Sequence, residues 1–384
     1  MSLIELELCE KCYRRLKIKS RIVKWDKCIL CSGLLWRIDE ICRRIANSFK
    51  EYEFETFNVG TKIDGTLKYF EDFIFKEFNL ENSKRIKHSF NRKLAECLSR
   101  LFGKKINYTD PDIIIIYNPE SDTFEFSVKP LYIYGRYKKR VRNIPQTRWL
   151  CNKCEGVGCE LCNFTGRKYS TSVEEYILNP LLEISRGEDG YLHGAGREDI
   201  DVRMLGNGRP FVVEIKNPRV RKIDLKKAEE EINKGSGGKV VVSDLKFVKK
   251  RAVEYLKSGK FKKKYRAKVV FGKEIELDRL LKALEKLKNT KILQRTPKRV
   301  EHRRADIVRE RRTYNINLIL HKRKLAVIEI EAEAGLYIKE LINGDEGRTR
   351  PSLAEILNTD AEVAKLDVIK VEGGLPDGLE IPRI

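Results

Sequence analysis

The spacing of apolar residues along the chain predicts an α+β protein that starts with helices and a small sheet. Apolar positions recur at helical spacing over Leu34–Phe49 and Ser83–Phe102, with basic residues on the opposite faces. Short β-type runs follow at Asp112–Tyr117, Thr123–Val128 and Leu131–Tyr134. The first part of the chain is therefore expected to combine helices with a few neighbouring strands.

A second region is predicted to begin near residue 170, where Thr171 and Ser172 precede Glu174 and Glu175 in the pattern of a capped helix start. Beyond this point strands and helices alternate. Strands are predicted at Pro210–Lys216, Gly238–Val242, Tyr265–Phe271, Tyr314–Leu320, Leu325–Glu331 and Leu366–Val371, and helices at Leu225–Ile232, Phe247–Leu256 and Leu277–Leu287. This order favours a mixed or antiparallel sheet flanked by helices.

Two domains are expected, residues 1–170 and 171–384. The length of 384 residues exceeds the roughly 250–300 at which a single hydrophobic core stops growing. The 79 Lys and Arg residues outnumber the 57 Asp and Glu residues, which gives a net charge of +22 and favours a large polyanion such as nucleic acid as partner. The longest apolar runs, such as Ile113–Ile116, are far shorter than a membrane span, so we predict a cytoplasmic protein without membrane contact.

Eight of the 10 cysteines form four Cys-x-x-Cys pairs, a spacing at which two thiolates bind one tetrahedral zinc ion. The pairs are Cys9/Cys12, Cys28/Cys31, Cys151/Cys154 and Cys159/Cys162. The first two pairs have the separation of a four-cysteine zinc ribbon, and the last two are closer together. Dithiol redox pairs or disulfides are the alternatives. Cys42 and Cys97 stand alone on helical patterns and are expected to be small buried apolar residues.

The segment from Tyr137 to Arg148 carries a run of basic residues, among them Lys138, Lys139 and Arg140. We predict that these three residues contact RNA phosphates. A solvated loop without a ligand would show the same charge pattern.

Three motifs carry candidate chemistry, and each also has a purely structural explanation. Gly196-Arg197-Glu198-Asp199 opens a loop rich in charge. Lys263-Lys264-Tyr265-Arg266-Ala267-Lys268-Val269 alternates like an amphipathic strand, with Tyr265 on the apolar face. Gly335-Leu336-Tyr337-Ile338-Lys339-Glu340-Leu341 precedes a glycine-rich turn that contains Arg348. A solvated turn, a core tyrosine and a helix cap would explain the three motifs separately.

Together the motifs resemble the Gly-Arg-x-Asp, Lys-x-Tyr-x-Ala-x-Val and Gly-Thr-Tyr-Ile-Arg-x-Leu elements of pseudouridine synthases, with Leu336 in place of Thr and Lys339 in place of Arg. The middle cysteines with Lys139–Arg148, the stretch Gly196–Pro210 and the stretch Gln294–Arg304 are similar to the archaeal Pus-Ten family, and this likeness covers nearly the whole chain.

The resemblance implies an N-terminal, zinc-containing THUMP domain that binds RNA and a C-terminal pseudouridine synthase domain. The implied reaction isomerises uridine to pseudouridine at positions 54 and 55 of the TΨC arm of transfer RNA. Asp199 would be the catalytic carboxylate, Lys339 would pair with it, and Tyr265 would stack on the flipped base. Arg197, Tyr337 and Arg348 are placed among the substrate-binding residues. Two structural zinc ions are expected and no organic cofactor, because the isomerisation is redox-neutral.

Two other functions fit parts of the sequence. Asp199 or Asp201, followed by Glu214 and Lys216, resembles the carboxylate and lysine pattern of magnesium-dependent nucleases. A zinc-containing RNA-binding adaptor without catalysis fits the charge and the cysteines equally well. Only the combination of Asp199, Tyr265 and Lys339 speaks against the adaptor.

Overall fold

The computed structural model describes residues 6–80 and 83–381, and of Arg303 the backbone alone. The chain forms two compact units. The first comprises the residues up to Pro130 together with Ser185–Glu188 and Lys216–Lys222. The second comprises Leu131–Ile184, Asp189–Ile215 and the chain from Ile223 onward.

The first unit combines helices with two small sheets. Its helices are α1 (Glu10–Leu16), α2 (Ile38–Ser48), α3 (Gly65–Glu77) and α4 (Ile86–Phe102), and its strands are β1 (Glu7–Leu8), β2 (Arg21–Ile22), β3 (Thr56–Thr61), β4 (Lys105–Ile106), β5 (Ile113–Asn118) and β6 (Thr123–Val128). β1 pairs with β2, and the other four strands lie in the order β4-β3-β5-β6. Alternation decides which face of β5 is buried, since Ile113, Ile115 and Tyr117 point into the core.

Cys42 on α2 and Cys97 on α4 are both buried, as predicted, but they are joined in a disulfide. The two helices pack against each other, and this packing brings the Cα atoms of the two cysteines to 6.4 Å. A helical pattern read separately for each segment could not show that the two buried positions face each other.

The second unit is built on a large sheet. Its helices are α5 (Val173–Ser185), α6 (Leu225–Gly235), α7 (Arg251–Ser258), α8 (Leu277–Leu287), α9 (Ile338–Asn343) and α10 (Leu353–Leu357), and its strands are β7 (Leu131–Lys139), β8 (Asp189–Gly194), β9 (Arg203–Lys216), β10 (Val240–Phe247), β11 (Lys263–Phe271), β12 (Lys291–Arg295), β13 (Val308–Lys322), β14 (Leu325–Ala332), β15 (Thr349–Arg350) and β16 (Ala361–Val371).

The ten strands follow the order β10-β7-β9-β16-β11-β14-β13-β12-β15, with β8 paired to β9. Only the pairing of β16 with β9 is parallel among the pairs along this order. The predicted mixed or antiparallel sheet flanked by helices is therefore confirmed. α8 illustrates the packing, because Leu280, Ala283, Leu284 and Leu287 share one face and are all buried.

The structure divides the chain earlier than the predicted boundary near residue 170. β7 hydrogen-bonds to β9 and β10, so residues from Leu131 onward belong to the large sheet. The second cysteine cluster consequently lies in the second unit. No helix within the described part of the chain is long and apolar enough to cross a membrane.

Candidate active site

A cavity of about 220 Å³ opens in the second unit around Asp199. One wall is the loop Arg197–Asp201, another is formed by Pro145–Thr147 with Trp149, and the charged groups of Arg299 and Lys339 complete it. The sequence motifs predicted that Asp199 and Lys339 belong to one site, although they lie far apart in the chain. The fold brings them together because the loop after β8 and the start of α9 lie beside each other.

The loop that carries Asp199 begins with a glycine for a steric reason. Gly196 has φ of +76°, in the left-handed region that side chains rarely adopt. A Cβ at this position would lie 3.1 Å from Nζ of Lys263 and 3.4 Å from Nη1 of Arg209. The glycine therefore lets the backbone pass close to the buried Arg209 and the half-buried Lys263.

Two cations neutralise the two aspartates of the cavity, and their pairing differs in part from the prediction. Nζ of Lys339 lies 3.7 Å from Oδ2 of Asp199, within ion-pair distance, but it donates hydrogen bonds to Asp201 at 2.8 and 3.0 Å. Arg299 donates a 2.8 Å hydrogen bond to Oδ2 of Asp199 instead. Burial alone would raise the pKa of Asp201, but the bonds and charge of Lys339 lower it.

Arg299 was not predicted as a site residue, although it lies inside the stretch Gln294–Arg304 that supported the family resemblance. Its guanidinium joins Asp199 to the buried Glu340, whose Oε1 accepts a 2.6 Å hydrogen bond from Nε of Arg299. Glu340 lies in the motif around Lys339, and Arg299 lies in the stretch Gln294–Arg304. Their opposite charges were the signal in the sequence that could have indicated this pair.

A buried polar network supports the Asp199 loop from behind. Glu198 accepts a 2.9 Å hydrogen bond from Nε of Arg209 and one from the hydroxyl of Tyr137, which lies 2.9 and 3.1 Å from its two carboxylate oxygens. Arg209 also donates to the carbonyl of Ala195, and Gln146 donates to the carbonyl of Gly196. The side chains of Arg209 and Glu198 are 1% and 0% exposed. The ion pair is thus fully removed from water and fixes both ends of the turn.

Lys139 supports the same loop and does not face solvent. Its ammonium group is buried and donates to the carbonyls of Ile144, Asp199 and Ile200 at 3.0–3.1 Å. Burial lowers its pKa. This corrects the prediction that Lys139 contacts phosphate, because all three donors are used to hold the backbone beside Asp199.

Tyr265 lies on β11 next to this network. Its phenol is buried, and burial raises its pKa to about 12, helped by the charges of Asp199 and Glu198. The hydroxyl is therefore protonated at neutral pH. Lys263 lies two positions earlier on the same face of β11, and burial together with the charge of Arg209 lowers its pKa to about 8.

The remaining predicted substrate residues differ in their exposure and surroundings. Arg197 is exposed and lines the cavity. Tyr337 precedes α9 with its ring 5.8 Å from the guanidinium carbons of Arg299 and Arg304. Arg348 is only 14% exposed and donates to the carbonyl of Thr296 and to Asp306, so it holds the neighbouring segment and has little access to RNA.

Most cations of the predicted basic segment are used inside the protein. Arg142 donates to the carbonyls of Asp201 and Leu366, and Arg148 donates to the carbonyl of Gly190. Lys138 is partly exposed and Arg140 is exposed, and the side chain of neither forms a hydrogen bond or ion pair with another residue that the structure describes. They are the two members of the segment that remain available to phosphate.

The nuclease alternative lacks its geometry. Glu214 does not line the cavity that holds Asp199 and Asp201; its carboxylate is bound by His193 at 2.9 Å and by Tyr132 at 3.3 Å. The carboxylates needed for a shared metal ion are thus not gathered around one cavity of the described residues.

The eight paired cysteines form two clusters that could each hold a metal ion. Within each cluster all four sulfur atoms lie within 4.8 Å of one another. A tetrahedral zinc ion with Zn–S distances of about 2.3 Å separates its sulfur ligands by about 3.8 Å. The Cys9–Cys31 distance is 3.6 Å, and the distances for Cys151–Cys159, Cys154–Cys162 and Cys159–Cys162 are 3.9, 3.8 and 3.8 Å.

Backbone N–H groups of Gly158, Cys159 and Gly166 also donate to sulfur atoms of the second cluster at 3.2–3.3 Å. Such donors stabilise thiolates that bind a metal. The donor set and its spacing therefore fit zinc.

Comparison with known proteins agrees with both units. Residues 41–118 match the model for the archaeal Pus10 THUMP domain, and residues 132–372 match the model for the Pus10 C-terminal domain. The chain thus combines a THUMP domain with a Pus10 C-terminal domain. It belongs to the Pus10 family, so the resemblance drawn from the motifs is confirmed.

Relatives with the name tRNA pseudouridine synthase Pus10 match most of this chain. The chain is 50% identical over 367 residues to tRNA pseudouridine synthase Pus10 of Archaeoglobus fulgidus, covering 95% of this chain and 100% of that protein. It is 44% identical over 361 residues to the protein of the same name from Methanothrix thermoacetophila, covering 94% of this chain and 79% of that one. Among solved structures, a Cbf5-Nop10-Gar1 complex matches with a TM-score of 0.32 and 16% identity, over 51% of this chain and 44% of that one.

Proposed function

We propose that the protein is a transfer RNA pseudouridine synthase that isomerises uridines 54 and 55, with Asp199 as its catalytic carboxylate. The observation that carries this proposal is the placement of Asp199 in a cavity between Arg299 and Lys339, on a loop held from behind by buried polar groups. Membership of the Pus10 family supports it. The cytoplasm, where transfer RNA is processed, is the proposed place of action.

The reaction defines what each group does. The N1–C1′ bond of the target uridine breaks, the uracil turns within the cavity, and a C5–C1′ bond forms, so that the proton of C5 is lost and N1 gains one. Asp199 either attacks C1′ or takes a proton from C2′. Arg299 and Lys339 orient the carboxylate and stabilise its negative charge. Tyr265, buried on β11 beside the Asp199 loop, is the group assigned to stack on the flipped base.

Position-specific mapping tests the proposal. Unmodified transfer RNA transcripts are incubated with the protein, and pseudouridine is located at single-nucleotide resolution in the parent RNA and in variants with cytidine at position 54 or 55. We expect modification at both positions in the parent and loss of only the replaced position in each variant. Pseudouridine at other positions alone would overturn the assignment of the target.

We propose zinc as the metal of both cysteine clusters and assign it a structural role, since no cysteine lines the catalytic cavity. Elemental analysis is expected to find two zinc ions per chain. Replacing Cys9 with serine should lower the free energy of unfolding clearly. Turnover per folded molecule should change less. Protein purified without added metal that contains no zinc would contradict this role.

The affinity for transfer RNA should fall steeply with salt, because a net charge of +22 implies many ion pairs with phosphates. Changing Lys138 and Arg140 together to alanine should weaken binding and reduce the slope of log K against log salt by about 0.7–0.9 for each phosphate that is no longer neutralised. Binding constants measured between low and moderate salt test both statements. An affinity that the double change leaves untouched would mean that these side chains are merely solvated.

A further inference from the structure

One element of the second unit meets the site described so far only through Trp149. We call residues 149–169, which contain the second cysteine cluster, the cysteine hairpin. Its two ends are joined by an antiparallel bridge between Leu150 and Arg167. The sulfur atoms of its four cysteines lie within 4.8 Å of one another.

The cysteine hairpin exposes several large apolar side chains. Leu150 is 57% exposed, Leu161 73%, Phe164 74% and Val157 91%. At these exposures the four side chains bury little of their surface within the element. Apolar side chains gathered on the surface of one short element indicate a binding surface.

The base of the cysteine hairpin adjoins the catalytic cavity. Trp149 lines the cavity, and its ring packs edge to face against Tyr169 at 5.6 Å. Nζ of Lys168 lies 5.4 Å from the ring of Trp149 and 6.0 Å from that of Tyr169. Aromatic rings beside a lysine form the type of surface on which nucleobases stack while the cation meets the backbone.

We propose that the cysteine hairpin binds unstacked nucleobases of the RNA strand on either side of the uridine that enters the cavity. This inference rests on the proposed function. A uridine must leave its stack to reach Asp199, which also exposes the faces of its neighbours. Leu161 and Phe164 offer apolar surface to those faces, and the continuity with Trp149 places this surface at the cavity that the strand must enter.

RNA fits this surface better than a protein partner does. The chain carries a net charge of +22, and single-stranded segments with unstacked bases bind to surfaces that combine aromatic side chains with cations. A protein partner would leave RNA affinity unaffected when the surface is changed, so the two occupants give different results in the same experiment.

The test combines Leu161→Ser with Phe164→Asn in the full-length protein. Asparagine suits position 164 because its φ of 59° lies in the left-handed region. We expect the dissociation constant for unmodified transfer RNA to rise at least about fivefold. Leu281→Ser on α8, where Leu281 is 45% exposed, is the matched control and should leave the dissociation constant unchanged.

Unchanged affinity in the double variant, with normal pseudouridine formation by the wild-type protein, would overturn this inference alone. Failure of the wild-type protein to form pseudouridine would instead overturn the proposed function. A photoreactive phenylalanine analogue at position 164 tests the surface without removing an apolar side chain. Crosslinks to nucleotides next to the target uridine are expected, and crosslinks only to remote nucleotides would contradict the inference.

Discussion

Replacing Asp199 with asparagine is expected to reduce pseudouridine formation at least about a hundredfold, the lower end of the effect of losing a positioned base. The amide nearly matches the carboxylate in size, so the cavity should keep its shape, but it can neither attack C1′ nor accept a proton from C2′. Binding of transfer RNA should remain close to normal, because the charge of +22 spreads affinity over a large surface. Single-turnover rates and dissociation constants measured on the same preparations separate the two effects.

Asp201→Asn is the matched control, since Asp201 lies two positions further along, lines the same cavity and is also paired with Lys339. It should retain most activity. If Asp201→Asn abolished turnover and Asp199→Asn retained it, the assignment of the motif would be displaced by two residues. If both variants remained active, the synthase mechanism proposed for this cavity would be wrong.

Replacing Arg209 with methionine is expected to destabilise the second unit by about 3–5 kcal/mol, the usual effect of leaving one partner of a buried ion pair alone. Glu198 would keep its hydrogen bond from Tyr137 but lose its paired cation. Because the Glu198 side chain is 0% exposed, water could not replace that cation. The turn of residues 195–199 would also lose the donor to the carbonyl of Ala195. Chemical denaturation monitored on the second unit measures the change.

Arg323→Met serves as its control. Arg323 and Glu274 form an exposed ion pair with side chains 74% and 52% accessible, and such pairs contribute at most about 1 kcal/mol. A loss of stability for Arg209→Met no larger than that of this control would show that the buried network does not hold the loop.

Periodicity predicted the elements whose two faces differ in polarity. The bounds predicted for α8 and β6 agree with the structure. One face of α8 is apolar, and apolar and polar residues alternate along β6 between residues that favour turns. β7 continues to Lys139, five residues beyond its predicted end. Lys138 and Lys139 made this stretch read as a basic loop, whereas Lys139 is satisfied by backbone carbonyls inside the protein.

The candidate site was predictable where a local motif marked it. Asp199 and Lys339 each lie in a recognisable stretch, so their meeting could be expected from the family resemblance. The partners Arg299, Glu198 and Arg209 depend on contacts between distant segments, and charge alone does not distinguish a buried ion pair from two solvated side chains. The same reason explains why the pairing of Cys42 with Cys97 could not be predicted.

The most direct test of the central claim is the fate of unmodified transfer RNA incubated with the zinc-loaded wild-type protein in buffer without magnesium and, separately, with added magnesium. The RNA is analysed by mass spectrometry for pseudouridine and by gel for cleavage. We predict pseudouridine under both conditions and an intact strand, because the proposed mechanism relies on Asp199 and not on magnesium. Magnesium-dependent cleavage without pseudouridine, or intact RNA without any modification, would contradict the account.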